Sequence, residues 1–233
     1  MEATEIRKLA ALEDTHWWYR ERRTLLARAL RRLAATPGRA LDIGAAGGGN
    51  TRVLREHGWD PVALEYSVEG AQVAHERGLN VIRADARYLP IQSEAMKLVI
   101  AFDILEHIKE DNLAAGEIFR ALEPGGTALI AVPADPKLWS AHDEAVDHVR
   151  RYTRESLHAV MSEAGFIIDE LWSWNVLMRP LAAWKRRSSS GSDLSDLPKV
   201  VNAGLSAVIA FERYLPVKSL PGVSLMLRAH RPG

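Results

Sequence analysis

Short apolar runs alternate with helix-like stretches through the first two thirds of the chain. Five of these runs have the length and composition of buried strands: 40–43, 61–66, 80–83, 97–102 and 127–132. Helix-like segments separate most of them, and Gly58 and Gly78 stand where two of those helices end. Strands and helices in this alternation predict a parallel sheet with helices on both of its faces.

Further elements flank this alternating core. In chain order they are a helical region at 3–35, a polar loop at 134–152, a helix at 153–164, a strand at 166–172, two apolar helical segments at 176–187 and 199–214, and a last strand at 222–230. The Ser-rich stretch 188–198 has the composition of a flexible linker. A length of 233 residues suits one domain. We predict a helical lid (1–36), a cofactor-binding core with an acceptor loop (37–174), a helical insertion (175–221) and a last strand (222–233).

Composition narrows the class of partner. Lys plus Arg and Asp plus Glu number 30 each, so no net charge draws the protein to nucleic acid. The chain has no cysteine, which excludes disulfides, thiolate metal sites and a cysteine nucleophile. No apolar run is long enough to span a membrane, and the N-terminus lacks the apolar core of a signal peptide. We expect a cytoplasmic protein with a small-molecule partner, either a monomer or a homodimer.

A glycine-rich turn follows the first predicted strand. It begins after Asp42 and runs from Gly44 to Gly49, directly before a helix, whose first N–H groups are available to a ligand. Glu65, at the end of the second strand, has the spacing of a carboxylate that binds ribose hydroxyls. Ala46 stands where the dinucleotide pattern has its middle glycine. This turn alone does not separate a nicotinamide site from an S-adenosylmethionine site.

The surrounding motifs separate these two possibilities. Five motifs occur in order over residues 40–132. They are Asp42 with Gly44 and Gly48, then Glu65, Asp85-Ala86, the segment 102–107 and Pro124-Gly125-Gly126. In this order the chain resembles the class I S-adenosylmethionine-dependent methyltransferases, particularly the small-molecule branch typified by ubiquinone-biosynthesis enzymes. Ala46 departs from the family pattern, which leaves the affinity for the cofactor in question.

The resemblance implies a fold and a set of cofactor contacts. The fold is a Rossmann-like α/β sheet of seven mostly parallel strands, with helices on both faces and the last strand antiparallel. Glu65 and Asp85 would hold the ribose and adenine of S-adenosylmethionine, and the 42–49 turn and the Asp103 region would hold its methionine part. The residues expected at the cofactor are Asp42, Gly44, Ala45, Ala46, Gly48, Glu65, Tyr66, Asp85, Ala86, Phe102, Asp103 and His107.

The polar loop 134–152, here called the acceptor loop, is the expected place for catalysis. His142 and His148 are the candidate bases, with Asp143 or Asp147 to orient an imidazole. His107 is a third candidate. Trp139, Arg151 and Tyr152 are expected to contact the acceptor. Arg150 or Arg151 could hold an anionic group on it. Alternatively, His148, Arg151 and Tyr152 form a polar brace. A site for Mg²⁺ made by Asp143, Asp147 and a histidine is conceivable, but the spacing does not require it, and we predict no metal.

The lid and the insertion are expected to enclose the acceptor. Trp17, Trp18 and Tyr19 lie in the N-terminal helical region, where relatives fold a lid over the cofactor. Alternatively, these rings dock the helix on the sheet. The insertion would form a pocket roof, a dimer face or a docking surface for a lipid-linked acceptor, and we favour the roof.

Together these features predict a methyltransferase that acts by in-line displacement with a histidine general base. O-methylation of a small metabolite or glycosyl-type acceptor is our first interpretation. N- or C-methylation, or a non-catalytic S-adenosylmethionine-binding regulator, remain alternatives. A nucleic-acid methyltransferase is disfavoured by the neutral charge and by Phe102-Asp103-Ile104-Leu105, which stand where an Asn/Asp-Pro-Pro-aromatic tetrad would be expected.

Overall fold

The computed structural model describes residue 7 and residues 10–33, 35–186 and 197–233. Of the linker predicted at 188–198, residues 188–196 lie outside the described residues. In the described part of the chain, seven strands form one sheet. The strands are β1 (Arg39–Ile43), β2 (Asp60–Glu65), β3 (Val81–Arg83), β4 (Met96–Phe102), β5 (Leu122–Pro133), β6 (Ile167–Trp174) and β7 (Ser224–His230).

The strand order of the sheet is β3-β2-β1-β4-β5-β7-β6. Strands β1 to β5 are parallel, whereas β7 runs antiparallel to both β5 and β6. The predicted seven-stranded, mostly parallel sheet with an antiparallel last strand is therefore confirmed. The connection from β1 leads outward to β2, and the chain then returns to place β4 on the other side of β1.

Helices cover both faces of this sheet. In the described residues they are α1 (Trp17–Arg32), α2 (Gly49–Glu56), α3 (Val68–Glu76), α4 (Asp111–Ala121), α5 (Ala141–Ala145), α6 (Arg154–Glu163), α7 (Arg179–Arg186) and α8 (Lys199–Glu212). Two sequence predictions are wrong in detail. The helical region 3–35 is interrupted by a turn at 13–15, after which the His16 side chain accepts from the Trp18 N–H and caps α1. The acceptor loop is also not wholly irregular, because α5 lies inside it.

The core consists of two apolar layers separated by the sheet. Leu26 of α1 and Leu54 of α2 pack with β1 and β4 residues on one face. Ile118 of α4 and Met161 of α6 pack on the opposite face. Strand β4 is buried along nearly its whole length, as expected for a central parallel strand covered on both sides.

This topology positions a ligand site between β1 and β4. The strand order reverses there, and in open parallel sheets ligands bind beyond the carboxyl ends of the strands at such a switch point. β1 ends at Ile43, directly before the glycine turn, and β4 ends at Phe102, directly before Asp103. Two candidate motifs that lie about 60 residues apart in the sequence therefore meet at one edge.

The insertion is tied to the N-terminal helix. The Asn202 side chain accepts from the Trp17 N–H at 2.8 Å and donates to the Thr15 carbonyl at 2.9 Å. Arg213 pairs with Glu21 of α1 at 3.2 Å. These contacts link the two segments that the sequence assigns to the acceptor side. No helix in the described part of the chain is long and apolar enough to cross a membrane.

Candidate active site

The glycine turn after β1 is held by close packing against the segment after β4. Gly44 has φ +72°, and a Cβ at this position would lie 1.8 Å from Ile104 Cδ1. Gly48 has φ +77°, and a Cβ there would collide with Leu79. Ala46 also has a positive φ, +44°, a conformation that costs a non-glycine residue about 1 kcal/mol. A glycine at this position would adopt the same positive φ without the steric cost that Ala46 carries.

Glu65 connects the glycine turn to the start of α3. Its Oε2 accepts from the Ala46 N–H at 3.0 Å, and its Oε1 accepts from the Tyr66 and Ser67 N–H groups at 3.1 Å. Because a carboxylate has about four lone-pair sites, Oε2 keeps the capacity to accept from a further donor. The predicted ribose-binding acid thus lies directly against the predicted methionine-binding turn.

Asp42 is a carboxyl group buried inside β1. It is 1% exposed, and its Oδ2 accepts from the Thr51 hydroxyl at 2.6 Å. Burial raises the pKa of Asp42 to about 7, opposed by the Thr51 hydrogen bond and reinforced by the negative charges of Glu13 and Glu65. Three carboxyl groups therefore act on one another beside the glycine turn. We call Glu13, Asp42 and Glu65 the acidic group.

Glu13 and Arg77 are residues that sequence reasoning missed. Arg77 donates to Glu13 Oε2 at 3.0 Å, to the Gly47 carbonyl at 2.7 Å and to the Ala10 carbonyl at 2.7 Å. Burial raises the pKa of Glu13, against the lowering effect of the Arg77 charge. A Cβ at Gly47 would lie 2.2 Å from Glu13 Oε2, so the turn preceding α1 rests directly on the glycine turn. No sequence motif marks this contact.

The predicted adenine residues follow β3. Asp85 binds the Arg87 side chain, with Arg87 Nη2 at 2.7 Å from Asp85 Oδ2. This hydrogen bond lowers the pKa of Asp85. Ala86 is buried, whereas Tyr66, after β2, is 70% exposed. An exposed ring beside Glu65 has the accessibility that the predicted contact with adenine requires, and both roles remain predictions.

Arg22 of α1 connects the lid to the end of β4. Its guanidinium is 2% exposed, pairs with Asp103, and lies over the rings of Trp18, Phe102 and Trp174 at 4.7–5.3 Å. This contact favours, for Trp18, the docking role that the sequence offered as an alternative, while Trp17 and Tyr19 are half-buried beside it. Asp103 has φ +58°, and backbone strain of this kind clusters at functional sites.

Three imidazoles meet where the acceptor loop crosses the segment after β4. The ring centroids of His107 and His148 are 4.7 Å apart, and those of His142 and His148 are 6.2 Å apart. Burial, together with His148, lowers the pKa of His107. We call His107, His142 and His148 the histidine cluster. The structure thus joins a residue of the predicted cofactor segment to both candidate bases.

Asp143 holds the acceptor loop together from inside. It is fully buried, and its Oδ1 lies 2.9 Å from His148 Nδ1 and 2.7 Å from Arg151 Nη1. Burial alone would raise its pKa, but the His148 hydrogen bond and the charges of Arg151 and Arg186 outweigh burial and hold the pKa of Asp143 well below its usual range. An ionised Asp143 that accepts from Nδ1–H leaves the lone pair of His148 on Nε2. This geometry suits the orienting role that the sequence offered for Asp143 or Asp147, and that role stays a prediction.

Arg151 and Tyr152 point into the protein. Arg151 also donates to the Ala134 carbonyl at 2.7 Å and to the Val223 carbonyl at 3.1 Å. Tyr152 is 1% exposed, and its hydroxyl donates to Asp111 at 2.6 Å. These contacts favour the bracing alternative for both residues over a contact with an acceptor.

Replacing Arg151 with Met is expected to lower the free energy of unfolding by about 3 kcal/mol, because it leaves a buried carboxylate and two buried carbonyls with lost partners. Urea denaturation of the variant measures this change. Arg55→Met, at an exposed position of α2, is the control and is expected to stay within about 0.5 kcal/mol of the wild type. Equal effects of the two substitutions would mean that Arg151 does not brace the loop.

Glu106 lies beneath the histidine cluster. It is completely buried, and among the described residues neither of its carboxylate oxygens has a hydrogen-bond partner. Its Oε1 lies 3.8 Å from His148 Nε2. Burial, together with the charge of Asp103, raises the pKa of Glu106 well above its usual value. The sequence placed Glu106 inside a family motif, but it had no separate signal that marked it as a site residue.

A cavity of about 300 Å³ separates the acceptor loop from α7. Trp139, which the sequence assigned to acceptor contact, lines it and is 40% exposed. Lys137, Arg179 and Arg186 bring three cationic side chains to the same walls. The first helix of the insertion therefore covers part of the acceptor loop.

Comparison with known proteins identifies the family. A family model described as a methyltransferase domain matches residues 18–171, more than half of the chain. A Mycolicibacterium smegmatis protein named "Probable S-adenosylmethionine-dependent methyltransferase" is 25% identical over 171 residues, 70% of this chain and 65% of that protein. The malonyl-[acyl-carrier protein] O-methyltransferase of Enterobacter lignolyticus is 30% identical over 132 residues, 53% of each chain. The chain thus spans less than two thirds of the length of these relatives.

Solved structures share the fold at lower identity. Haemonchus contortus phosphoethanolamine N-methyltransferase 2, solved with S-adenosyl-L-methionine, has a TM-score of 0.64 and 21% identity, covering 91% of this chain and 53% of that chain. The [4+2]-cyclase SpnF has a TM-score of 0.61 and 20% identity, covering 92% of this chain and 82% of that one. The domain match, the seven-stranded sheet and the neighbours' fold show that the chain belongs to the class I S-adenosylmethionine-dependent methyltransferases.

Proposed function

We propose that the chain binds S-adenosylmethionine and transfers its methyl group to a small acceptor. The observation that carries this proposal is the acidic group beside the glycine turn. A nicotinamide dinucleotide would bring an anionic pyrophosphate to this turn, against the charges of Glu13, Asp42 and Glu65. S-adenosylmethionine brings a sulfonium and an ammonium group instead. The buried Asp42 suits a cationic ligand, because a nearby positive charge favours its ionised form.

The residues of the switch point suit the parts of this cofactor. We assign the ribose hydroxyls to Glu65 and the methionine part to the turn from Gly44 to Gly48. When bound, S-adenosylmethionine supplies an electrophilic methyl group, and its transfer to an oxygen breaks the carbon–sulfur bond, leaves the electron pair on sulfur and releases the hydroxyl proton. The protein must therefore align an acceptor and receive a proton.

We assign proton acceptance to His142. It belongs to the histidine cluster and is half-buried on α5, at the acceptor side of the sheet edge. His148 is instead held by Asp143 with its Nε2 directed at Glu106. A cluster of imidazoles suits an acceptor that must lose a proton, which favours an oxygen or carbon nucleophile over a neutral amine.

The acceptor site is proposed to lie between the acceptor loop, the lid and the insertion. Trp139 and the cavity beneath α7 supply an aromatic wall and cationic side chains, which suit a small metabolite or glycosyl-type acceptor with an anionic group. The outer face of α8 exposes Val200, Val208 and Phe211, and Tyr214, just after the helix, is also exposed. This face fits either a homodimer contact or a lipid-linked acceptor, both of which remain predictions.

A non-catalytic regulator is the second candidate. A protein named as a [4+2]-cyclase shares this fold, so the fold by itself does not specify methyl transfer. Cofactor affinity without turnover on a broad panel of hydroxyl, amine and carbon acceptors would support this candidate.

Replacing Glu65 with Ala is expected to weaken binding of S-adenosylhomocysteine by about 2 kcal/mol, roughly 30-fold, because charge-assisted bonds to ribose are lost. Isothermal titration calorimetry measures the change. Glu65→Gln retains an acceptor for the backbone N–H groups and separates the loss of charge from loosening of the turn. Glu56→Ala, at an exposed position of α2, is the control. Wild-type affinity in both Glu65 variants would contradict the proposed ribose contact.

A further inference from the structure

Glu106, His107 and His148 converge on one point below the acceptor loop. Each offers one ligand atom, and these atoms all lie within 4.8 Å of one another. Two of these residues adjoin each other on the short 3₁₀ helix Leu105–His107, and the third comes from the loop 41 positions later. The point lies just beyond the end of β4, on the side of the sheet edge that carries the acceptor loop.

The hydrogen bonds around this point leave acceptors facing acceptors. His148 Nδ1 lies 2.9 Å from Asp143, and His107 Nδ1 lies 3.3 Å from the Asp147 carbonyl. With these Nδ1 atoms protonated, both Nε2 atoms carry lone pairs. Glu106 adds two buried carboxylate oxygens that have no hydrogen-bond partner in the described residues. Such an arrangement is costly unless a proton on Glu106 or a metal ion lies between the groups.

The separations suit a metal ion better than a shared proton. His148 Nε2 and Glu106 Oε1 are 3.8 Å apart, beyond the length of a hydrogen bond. Two ligands of a tetrahedral ion, each about 2.0–2.2 Å from the metal, stand roughly 3.3–3.6 Å apart, so metal binding would draw these two atoms together by only a few tenths of an ångström, less than a hydrogen bond would require. Asp143, which fixes the outer nitrogen of His148, has the position of the carboxylate that typically orients a metal-binding histidine.

We propose that Glu106, His107 and His148 bind a divalent transition-metal ion such as Zn²⁺, with an open coordination position toward the acceptor. Two imidazoles and one carboxylate favour this class of ion over Mg²⁺, which prefers oxygen ligands. The role of the ion rests on the proposed function: in its open position it would bind an acceptor hydroxyl and lower its pKa. The ligand set differs from the Asp143–Asp147 combination considered from the sequence, where no metal was expected.

Metal binding is testable without knowledge of the acceptor. Tag-free protein is treated with EDTA, dialysed and titrated with Zn²⁺ by calorimetry and with Co²⁺ by visible absorption. We expect one bound ion per chain. With Co²⁺ we also expect a visible d–d absorption band typical of a coordination site of low symmetry. Glu106→Gln, which keeps the side-chain volume, and His148→Asn should each weaken binding at least 100-fold. His158→Ala, at an exposed position of α6, is the matched control and should bind as the wild type does.

A parallel titration with S-adenosylhomocysteine separates this proposal from the proposed function. Glu106→Gln is expected to retain wild-type affinity for S-adenosylhomocysteine, which also shows that the variant is folded. If wild-type protein binds S-adenosylhomocysteine but neither metal ion, or if Glu106→Gln binds metal as the wild type does, the metal site is overturned and the proposed function stands. Stoichiometric metal binding without S-adenosylhomocysteine binding would support the site and overturn the proposed function.

Discussion

Replacing His142 with Ala is expected to lower the rate of methyl transfer by about 10²-fold or more, while the affinity for S-adenosylhomocysteine stays within about twofold. A general base contributes this much by removing the acceptor proton, so its loss should affect transfer and leave cofactor affinity nearly unchanged. The measurement is transfer of labelled methyl from S-adenosylmethionine to the member of a hydroxyl-bearing acceptor panel that the wild-type protein turns over.

Two comparisons make the His142 result specific. His158→Ala changes an exposed histidine of α6 and is expected to keep full activity. The rate of the wild type is expected to rise with pH as a base is deprotonated, and this dependence should flatten in His142→Ala. An unchanged rate in His142→Ala would remove this residue from the mechanism.

Replacing Asp42 with Asn is expected to stabilise the ligand-free protein at neutral and higher pH. The pKa of Asp42 is raised to about 7 in the folded state from an ordinary value of 3.8, mainly by burial. The folded state therefore binds the proton more tightly than the unfolded state does. The contribution of Asp42 to stability is complete below about pH 4 and is lost as the pH rises through about 7.

The size of the Asp42 effect follows from the pKa difference. A difference of about 3 units corresponds to on the order of 3–4 kcal/mol between pH 4 and pH 8. An amide in place of the carboxyl group does not titrate, so the free energy of unfolding of Asp42→Asn should exceed that of the wild type increasingly as the pH rises. Urea denaturation at several pH values measures this difference. Asp60→Asn, at an exposed position of β2, is the control.

Asp42→Asn should also bind S-adenosylmethionine at least 10-fold more weakly, because a negative charge beside the glycine turn, which would favour a cationic cofactor, is lost. Stabilisation together with weakened binding is the expected signature of a residue kept for a ligand. Parallel pH profiles of wild type and variant, with unchanged affinity, would contradict the role assigned to the acidic group.

The sequence predicted the sheet well because its strands are short, apolar and separated by clear turn residues. The order of the motifs placed Asp42, Gly44 and Glu65 at one edge, and the structure has them there. The interruption before α1 was not predictable from composition, since His16 caps the helix in a role usually taken by Ser, Thr, Asp or Asn.

The contacts between segments distant in the chain were beyond sequence reasoning. Arg22 reaches Asp103 across 81 positions, and Arg77 reaches Glu13 across 64. Neither pair has a local pattern, because each depends on how helices cross the sheet. The burial of Glu106 beside two histidines likewise depends on how distant segments pack together, so no local pattern predicts it.

Titration of the purified protein with S-adenosylhomocysteine, with NAD⁺ as the comparison ligand, tests the central claim most directly. The acidic group at the β1–β4 switch point predicts micromolar, one-to-one binding of S-adenosylhomocysteine and no measurable binding of NAD⁺. Binding of NAD⁺, or of neither ligand, would contradict the account.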